Sequence, residues 1–204
     1  MSLTPMLQQY QTIRKTLARD TILFFRLGDF YEMFFEDAKT ASAILDITLP
    51  GRDGGQDSRI PMCGVPYHAA QGYINRLTRA GLKVAICDQV EDPKLAKGIV
   101  KREIVRMVTP ATNLEDDAAE TGQFNYIAAV CRTKKNFGLS YLDLGTGEFR
   151  VGEFAGVQEL EDELLRLSPK ECVLPASFDK ALLGLFLKSH NPVLNEYEDW
   201  IFDL

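Results

Sequence analysis

The stretch FFRLGDFYEMFF, residues 24–35, is the most unusual part of this chain of 204 residues. Six of its twelve residues are aromatic. The apolar, β-prone run at residues 21–27 ends at Gly28-Asp29 and predicts a largely buried strand. The spacing of the apolar residues that follow predicts a helix beginning near Phe30. The core-facing stripe of that helix is Tyr31, Phe34, Phe35 and Ala38.

Phe30 differs from the other rings because it follows the turn at Gly28-Asp29, where a side chain is least committed to the core. Phenylalanines at a strand–helix junction usually pack inside the domain, and this is one interpretation of Phe30. The other follows from Glu32, two residues further on. An exposed ring beside a carboxylate is suited to enter a stack of bases while the carboxylate accepts a hydrogen bond from a base edge.

The rest of the first half predicts a mixed α/β unit that ends near Pro110. Thr4-Pro5 is a good helix start, with a hydroxyl cap followed by proline at the first helical position, and the helix extends to about residue 18. A second helix is predicted at residues 68–79 and is closed by Gly81. Further strands are predicted at residues 46–52, 60–65, 83–90 and 99–109, with a loop at 51–57 and a charged loop at 91–98.

The second half predicts a separate α/β domain. Residues 112–123 are polar and acidic without periodicity, which is typical of a linker. Three strands in meander order are predicted at 126–132, 137–143 and 148–154, followed by a helix at 157–167, a strand at 171–174 and a helix at 178–188. We therefore predict a first domain at residues 1–111, a linker at 112–123 and a second domain at 124–204.

Composition narrows the class of protein. Hydrophobic residues make up 46% and charged residues 25%, which excludes a disordered, collagenous or coiled-coil chain. No apolar run approaches the roughly 20 residues that span a bilayer, and the polar residues after Met1 give no sign of a signal peptide. The four cysteines form no CxxC pair and only two histidines are present. This argues against a zinc site and predicts free thiols in the cytosol.

The charge is unevenly distributed along the chain. Residues 1–115 hold 15 basic and 13 acidic residues, whereas the remaining residues hold 8 basic and 16 acidic ones. The first half is therefore the better candidate for contacts with phosphates, and the acidic half could instead dock a protein. The basic residues that fall in predicted loops and a strand of the first half are Arg52, Arg59, Lys94, Lys97, Lys101, Arg102 and Arg106.

Two further motifs leave alternatives open. Residues 60–68, IPMCGVPYH, indicate either an edge strand with a rigid exit or a stiff ridge that presses against a groove floor. Residues 143–147, DLGTG, resemble the phosphate loop of sugar-kinase and actin-like ATPases. Asp143 could equally be the first carboxylate of a ribonuclease H-type nuclease, or the sequence could form a plain hairpin turn. No GxxxxGK[ST] motif is present.

Several ordered motifs together resemble the N-terminal mismatch-recognition domain of the MutS DNA mismatch-repair family. The resemblance begins with FFRLGDFYEMFFEDA and extends over about 110 residues. Its other parts are TPMLQQY at 4–10, IPMCGVPYHA at 60–69, VAICDQ at 84–89 and VRMVTP at 105–110. From about residue 124 the chain is similar to the connector domain of that family, where YLDLGTGE at 141–148 matches the family's own hairpin.

The resemblance implies a mixed-sheet recognition domain followed by a ribonuclease H-like connector domain, apparently truncated. It also implies that Phe30 stacks on a mispaired or unpaired base from the minor groove and that Glu32 hydrogen-bonds the same base. We expect Met62 to line the groove beside the ring. The candidates for contacts with the DNA backbone are Arg52, Arg59, Lys97 and Arg106.

The same resemblance sets expectations for the whole protein. The lever, clamp and ATPase domains of the family have no counterpart here, so we expect a DNA-binding chain without catalytic residues, a metal or a cofactor of its own. ATP and Mg²⁺ would belong to the ATPase domain of a full-length protein. The implied partners are mismatched double-stranded DNA, a second copy in a homodimer and a downstream mismatch-repair factor. The implied location is the bacterial cytoplasm, at the nucleoid.

Overall fold

The computed structural model describes residues 3–53, 59–91, 98–114 and 124–203, which form two compact units, Met1–Thr109 and Pro110–Leu204. The described residues of the first unit form the α-helices α1 (Pro5–Arg14), α2 (Phe35–Leu45) and α3 (Ala70–Arg79). Its strands are β1 (Thr21–Leu27), β2 (Phe30–Phe34), β3 (Gly51–Asp53), β4 (Arg59–Pro66), β5 (Lys83–Gln89) and β6 (Arg102–Val108). A short 3₁₀ helix, Tyr67–Ala69, leads into α3.

These strands form one mixed sheet in the order β3-β4-β2-β1-β5-β6. β1 runs parallel to β5, and the other neighbours pair antiparallel. Because side chains alternate across a strand, the strands β1, β2, β4 and β5 each contribute to two separate cores. The first core lies between one sheet face and helices α2 and α3, and the second lies between the other face and α1. The mixed-sheet α/β class predicted for this domain is confirmed.

The predicted helix near Phe30 is wrong, because residues Phe30–Phe34 form strand β2. β2 pairs with β1 in a tight hairpin whose last pair is Leu27 with Phe30. Away from its turn, the hairpin is packed on both faces by the two cores, so Tyr31, Met33 and Phe34 are all buried. This burial hides the alternation of a strand and imitates a helical stripe. Helix α2 begins only at Phe35, whose φ of +56° marks the change of direction.

The predicted strand at 46–52 is also largely wrong. Asp46 adopts a left-handed conformation, with φ of +53°, and ends helix α2. Only Gly51–Asp53 pairs in the sheet, against β4. Most of the loop at 51–57 and most of that at 91–98 lie outside the described residues. At the N-terminus, Thr4 occupies the cap position of α1 without a capping hydrogen bond from its side chain, and the helix ends at Arg14.

The buried carboxylate of Asp37 connects α2 to α1 and β1. Its two oxygens accept hydrogen bonds from the Tyr10 hydroxyl at 2.8 Å, the Leu23 backbone N–H at 3.1 Å and Arg14 Nε at 2.9 Å. Burial, with the nearby Asp37 charge, raises the pKa of Tyr10 well above its ordinary value, so this hydroxyl remains a donor. Removing this carboxylate would leave three buried or partly buried donors without an acceptor, which is costly.

The second unit contains strands β7 (Tyr126–Arg132), β8 (Phe137–Asp143), β9 (Glu148–Phe154), β10 (Glu171–Pro175) and β11 (Val193–Tyr197), with helices α4 (Val157–Leu167) and α5 (Gly184–His190). The sheet order is β11-β10-β7-β8-β9. The first three strands form an antiparallel meander, and β10 runs parallel to β7 and β11. A meander followed by two parallel strands is the ribonuclease H-like arrangement that the resemblance implies.

The sequence predicted the meander, α4 and β10 correctly but missed β11. The helix predicted at 178–188 is divided into a 3₁₀ helix, Lys180–Leu183, and α5. Leu160 and Leu164 of α4 and Phe186 of α5 pack on one face of the sheet. The domain limits at 111 and 124 stay predictions, since most of the linker at 112–123 lies outside the described residues.

The cysteines are free thiols. Burial raises the pKa of Cys63 to about 12 and that of Cys87 to about 11, and burial with the adjacent Glu171 charge raises that of Cys172 to about 12. These three thiols are therefore protonated at neutral pH and are poor metal ligands. No helix in the described parts of the chain is long and apolar enough to span a bilayer.

We expect Asp37→Ala to lower the free energy of unfolding by about 3 kcal/mol, because Tyr10, Leu23 and Arg14 would lose a buried acceptor. Urea denaturation of the chain measures this change. Glu36→Ala is the matched control: Glu36 is also in the first turn of α2, but its side chain is 82% exposed and pairs only with Lys39. Its loss should change stability by about 0.5 kcal/mol or less. Equal losses in the two variants would contradict this role of Asp37.

Candidate nucleic-acid interface

Phe30 projects from the domain, whereas the neighbouring rings are buried. The Phe30 side chain is 47% exposed, while Phe24, Phe25 and Phe34 are fully buried and Tyr31 is 7% exposed. Phe30 is the first residue of β2, opposite Pro66 of β4. The interpretation of this ring as a core residue is therefore wrong. Its position at the end of the hairpin leaves the ring free to contact a ligand.

The turn that carries Phe30 is held by backbone constraints. Gly28 adopts a left-handed conformation with φ of +58°, which only glycine adopts without strain. The Gly28 carbonyl accepts a hydrogen bond from Arg26 Nε. The Asp29 carbonyl accepts one from the Tyr67 backbone N–H at 2.9 Å. The turn is thus bonded both to β1 and to the segment that follows β4.

A cluster of side chains supports the base of this hairpin. The Arg26 guanidinium carbon lies 3.6 Å from the centroid of the Tyr67 ring, within the range of a cation–π contact. Arg26 also lies 4.0 Å from Asp88, which accepts a hydrogen bond from the Tyr31 hydroxyl at 3.0 Å. Burial, with this hydrogen bond, raises the pKa of Tyr31. The cluster fixes the hairpin and so the direction in which Phe30 points.

Glu32 lies on the same sheet face as Phe30, two residues further along β2. Its cross-strand partners are Phe25 on β1 and Gly64 on β4. A Cβ at Gly64 would lie 3.4 Å from the Glu32 Cγ and 3.3 Å from the Tyr31 carbonyl oxygen. The missing side chain at Gly64 therefore provides room for the Glu32 side chain, which is 17% exposed and forms an ion pair with Arg52.

The predicted contact residues divide between the two faces of the sheet. Met62 pairs with Phe34, so it lies on the face of Phe30 and Glu32 and is partly buried there. Arg52 pairs with Ile60, which places it on the same face. The sequence predicted Met62 as a residue of the groove and Arg52 as a contact to the DNA backbone, and both contacts stay predictions. It gave no sign that Arg52 pairs with Glu32.

Arg59 and Arg106 are exposed but are not brought to that face. Arg59 pairs with Asp53, and its side chain lies against Gly51, on the opposite face from Ile60. Arg106 is on the far edge strand β6 and pairs with Ile86, whose side chain is in the core under α2 and α3. Lys97 lies outside the described residues. The contacts predicted for these three residues stay predictions.

Asp143 has a structural position at the end of β8. It is 4% exposed, and its carboxylate accepts hydrogen bonds from the backbone N–H groups of Asn125 and Thr146, both at 2.7 Å, and from the Thr146 hydroxyl at 3.0 Å. Burial by itself raises the pKa of Asp143, but these hydrogen bonds outweigh it, so the pKa lies below its ordinary value. The carboxylate thus organises the turn between β8 and β9.

The surroundings of Asp143 give no support to nuclease or phosphotransferase chemistry. Its cross-strand partner Glu148 accepts hydrogen bonds from the Tyr126 hydroxyl at 2.8 Å and from Arg150 Nε at 2.7 Å. Within the described ranges, no three acidic, histidine or cysteine side chains come together to hold a metal ion. Two-metal catalysis would require such a group of carboxylates.

The described geometry defines a two-domain α/β chain whose first domain presents an aromatic ring and a carboxylate on one face. Comparison with protein families identifies it further. The family model described as MutS domain I matches residues 4–117, and the model described as MutS domain II matches residues 125–204. This chain belongs to the MutS family.

Its curated relatives are named DNA mismatch repair protein MutS. The relative from Desulforamulus reducens is 54% identical over 184 residues, which is 88% of this chain and 21% of that protein. The relative from Lachnoclostridium phytofermentans is 49% identical over 203 residues, 98% of this chain and 22% of that protein. The relative from Staphylococcus haemolyticus is 50% identical over 179 residues. The chain spans about a fifth of the length of these relatives.

The left-handed turn should be sensitive to a single methyl group. We expect Gly28→Ala to lower the free energy of unfolding by about 1 kcal/mol, because a Cβ strains this conformation although nothing lies within 4 Å of it. Gly72→Ala, in α3, is the control: its site is equally open, and alanine should stabilise the helix by about 1 kcal/mol or less. The idea of a strained turn fails if both substitutions change stability with the same sign in urea denaturation.

Asp143 should make stability depend on pH. Its folded-state pKa is lower than its unfolded one, so its contribution is complete above the unfolded pKa, about 4, and is lost as pH falls through the folded value. We expect Asp143→Asn to cost about 2 kcal/mol at pH 7 and clearly less at pH 3. Chemical denaturation at both pH values, with Asp162→Asn on the exposed side of α4 as the control, measures this. A difference that does not shrink with acid would rule out the charged acceptor.

Proposed function

We propose that this chain recognises mismatched or unpaired bases in duplex DNA, as the N-terminal part of a mismatch-repair protein. The observation that carries the proposal is the exposed Phe30 ring, held on a rigid hairpin with Glu32 beside it on the same face. The name of the relatives, DNA mismatch repair protein MutS, supports the same function. In this proposal Phe30 inserts from the minor groove and stacks on the mispaired base.

Insertion of a ring accounts for recognition that does not depend on base sequence. A protein that must find any mismatch cannot rely on one pattern of donors and acceptors. It can test how easily the duplex kinks, because deformation energy depends on the stability of the stacked pairs. Unstacking costs a few kcal/mol per step in intact DNA and less where pairing is already broken. That difference becomes the preference for a mismatch.

Glu32 adds a chemical test to the mechanical one. A carboxylate close to phosphates is repelled, so Glu32 gains energy only where a displaced base offers a donor. Its position two residues from Phe30, with room provided by Gly64, would place it next to the base on which the ring stacks.

The remaining contacts would position the duplex. Met62, on the same face, would line the minor groove beside Phe30. Arg59, Lys97 and Arg106 are proposed to contact the DNA backbone, where each neutralised phosphate releases counterions and favours binding. Arg59 lies on the opposite face of the sheet and Arg106 on its far edge strand. These two residues would reach the DNA backbone only if the duplex bends around the domain or if another stretch of backbone passes that side.

The proposals for the whole protein rest on its longer relatives. A full-length protein would bind ATP and Mg²⁺ in an ATPase domain, act as a homodimer and bind a downstream repair factor in the cytoplasm, at the nucleoid. The acidic second unit would transmit the state of the DNA site to that ATPase. No catalytic residue is proposed within this chain.

The substitution Phe30→Ala tests the proposal, and it is made in a protein that has the full length of the relatives. We expect the ratio of affinities for a G·T-mismatched over a matched duplex to fall about fivefold or more, because the lost stacking is worth about 1–3 kcal/mol. Mobility shift or fluorescence anisotropy at fixed salt measures the ratio. Phe149→Ala is the control, since Phe149 is 63% exposed on β9 of the second unit. An unchanged mismatch preference in Phe30→Ala would exclude the wedge.

A further inference from the structure

Arg52 and Glu32 form an ion pair that crosses a strand. Glu32 is on β2 and Arg52 on β3, with β4 between them, and Arg52 Nη1 donates to Glu32 Oε2. The side chains are 40% and 17% exposed, respectively. The Arg52 guanidinium carbon also lies 5.9 Å from the centroid of the buried Phe34 ring. Arg52 is therefore extended over the sheet face toward Glu32.

This pair gives the Glu32 carboxylate a defined partner. Gly64, the residue of β4 opposite Glu32, has no side chain to restrict it, and Phe25, its partner on β1, is a buried apolar residue that offers no donor to the carboxylate. Among the described residues, Arg52 is the cation that pairs with Glu32. A guanidinium offers several donors in a planar, fixed geometry, so it orients a carboxylate more strictly than a point charge does.

We infer that Arg52 is a positioning residue for Glu32, and that it contributes to mismatch selectivity through this carboxylate instead of through a phosphate. This inference rests on the proposed function of the Phe30 face. Arg52 holds Glu32 beside the base-stacking ring and compensates its charge, which reduces the repulsion between the carboxylate and the DNA backbone. The carboxylate then has one defined direction in which a displaced base can meet it.

A direct phosphate contact by Arg52 would have a different signature. The loss of one phosphate contact weakens binding to matched and mismatched duplexes by the same factor and reduces the salt slope by about 1. The loss of a positioning residue changes the ratio of the two affinities, and only while Glu32 is present. The two roles can therefore be separated in one set of measurements.

The test is a double-mutant cycle with Glu32→Ala and Arg52→Gln, made in a protein that has the full length of the relatives. The probes are a duplex with a single G·T mismatch and its matched counterpart, each titrated over a range of salt. We expect Arg52→Gln and Glu32→Ala each to lower the mismatch preference about fivefold, and Arg52→Gln to lower it less than about twofold when Glu32 is already alanine. Arg52→Lys, which keeps the charge but not the planar donor group, should retain more of the mismatch preference than Arg52→Gln does.

Arg76→Gln is the matched comparison, because Arg76 is an exposed arginine of α3, the helix that covers the opposite face of the sheet. It should leave the mismatch preference unchanged, whatever it does to overall affinity. The inference is overturned if Arg52→Gln weakens both duplexes equally, or if its effect on the preference is the same with and without Glu32. Melting temperatures of all variants identify any loss of folding. If Phe30→Ala abolishes mismatch preference while Arg52→Gln does not alter it, the proposed function stands and only this inference fails.

Discussion

The two-residue connection between β1 and β2 is the constraint on which the candidate site depends. Pairing of Leu27 with Phe30 forces the chain to reverse within Gly28 and Asp29, and the left-handed φ of Gly28 makes that reversal possible. The reversal places Phe30 at the very end of a strand pair, beyond the reach of the core that buries the other rings. Exposure of this ring is thus a consequence of backbone geometry and not of a polar sequence.

The rigidity of the hairpin that carries Phe30 affects how much free energy the ring could contribute on binding. The turn is bonded to Arg26 and Tyr67, and the hairpin below it is packed on both faces. A ring on a flexible loop would lose conformational freedom on entering a base stack, and that entropy would reduce the gain from stacking. A ring on a rigid hairpin has already lost most of this freedom on folding, so in the proposed function more of the stacking energy would remain to distinguish weak from intact pairs.

Only those residues of the candidate site that lie within short sequence motifs could be predicted. Phe30, Glu32 and Met62 lie in two short motifs, and the structure brings both motifs to one face of the sheet. The pairing of Arg52 with Glu32 could not be foreseen, because it depends on the register of three strands that are separated in the sequence. The same dependence separates Arg59 from Arg52, seven residues away, by placing them on opposite faces.

The sequence by itself determined the mixed α/β class, the meander of the second unit and most of its helices, because periodicity and turn residues act within about ten positions. Tertiary structure decided the hairpin at Phe30 and the parallel strand β11. A strand that is buried on both faces has no alternation to detect, and a parallel strand is defined by a partner elsewhere in the chain. Tertiary structure also decided the exposure of Phe30, because the folded sheet determines how far along the hairpin the side chains are covered by neighbouring elements.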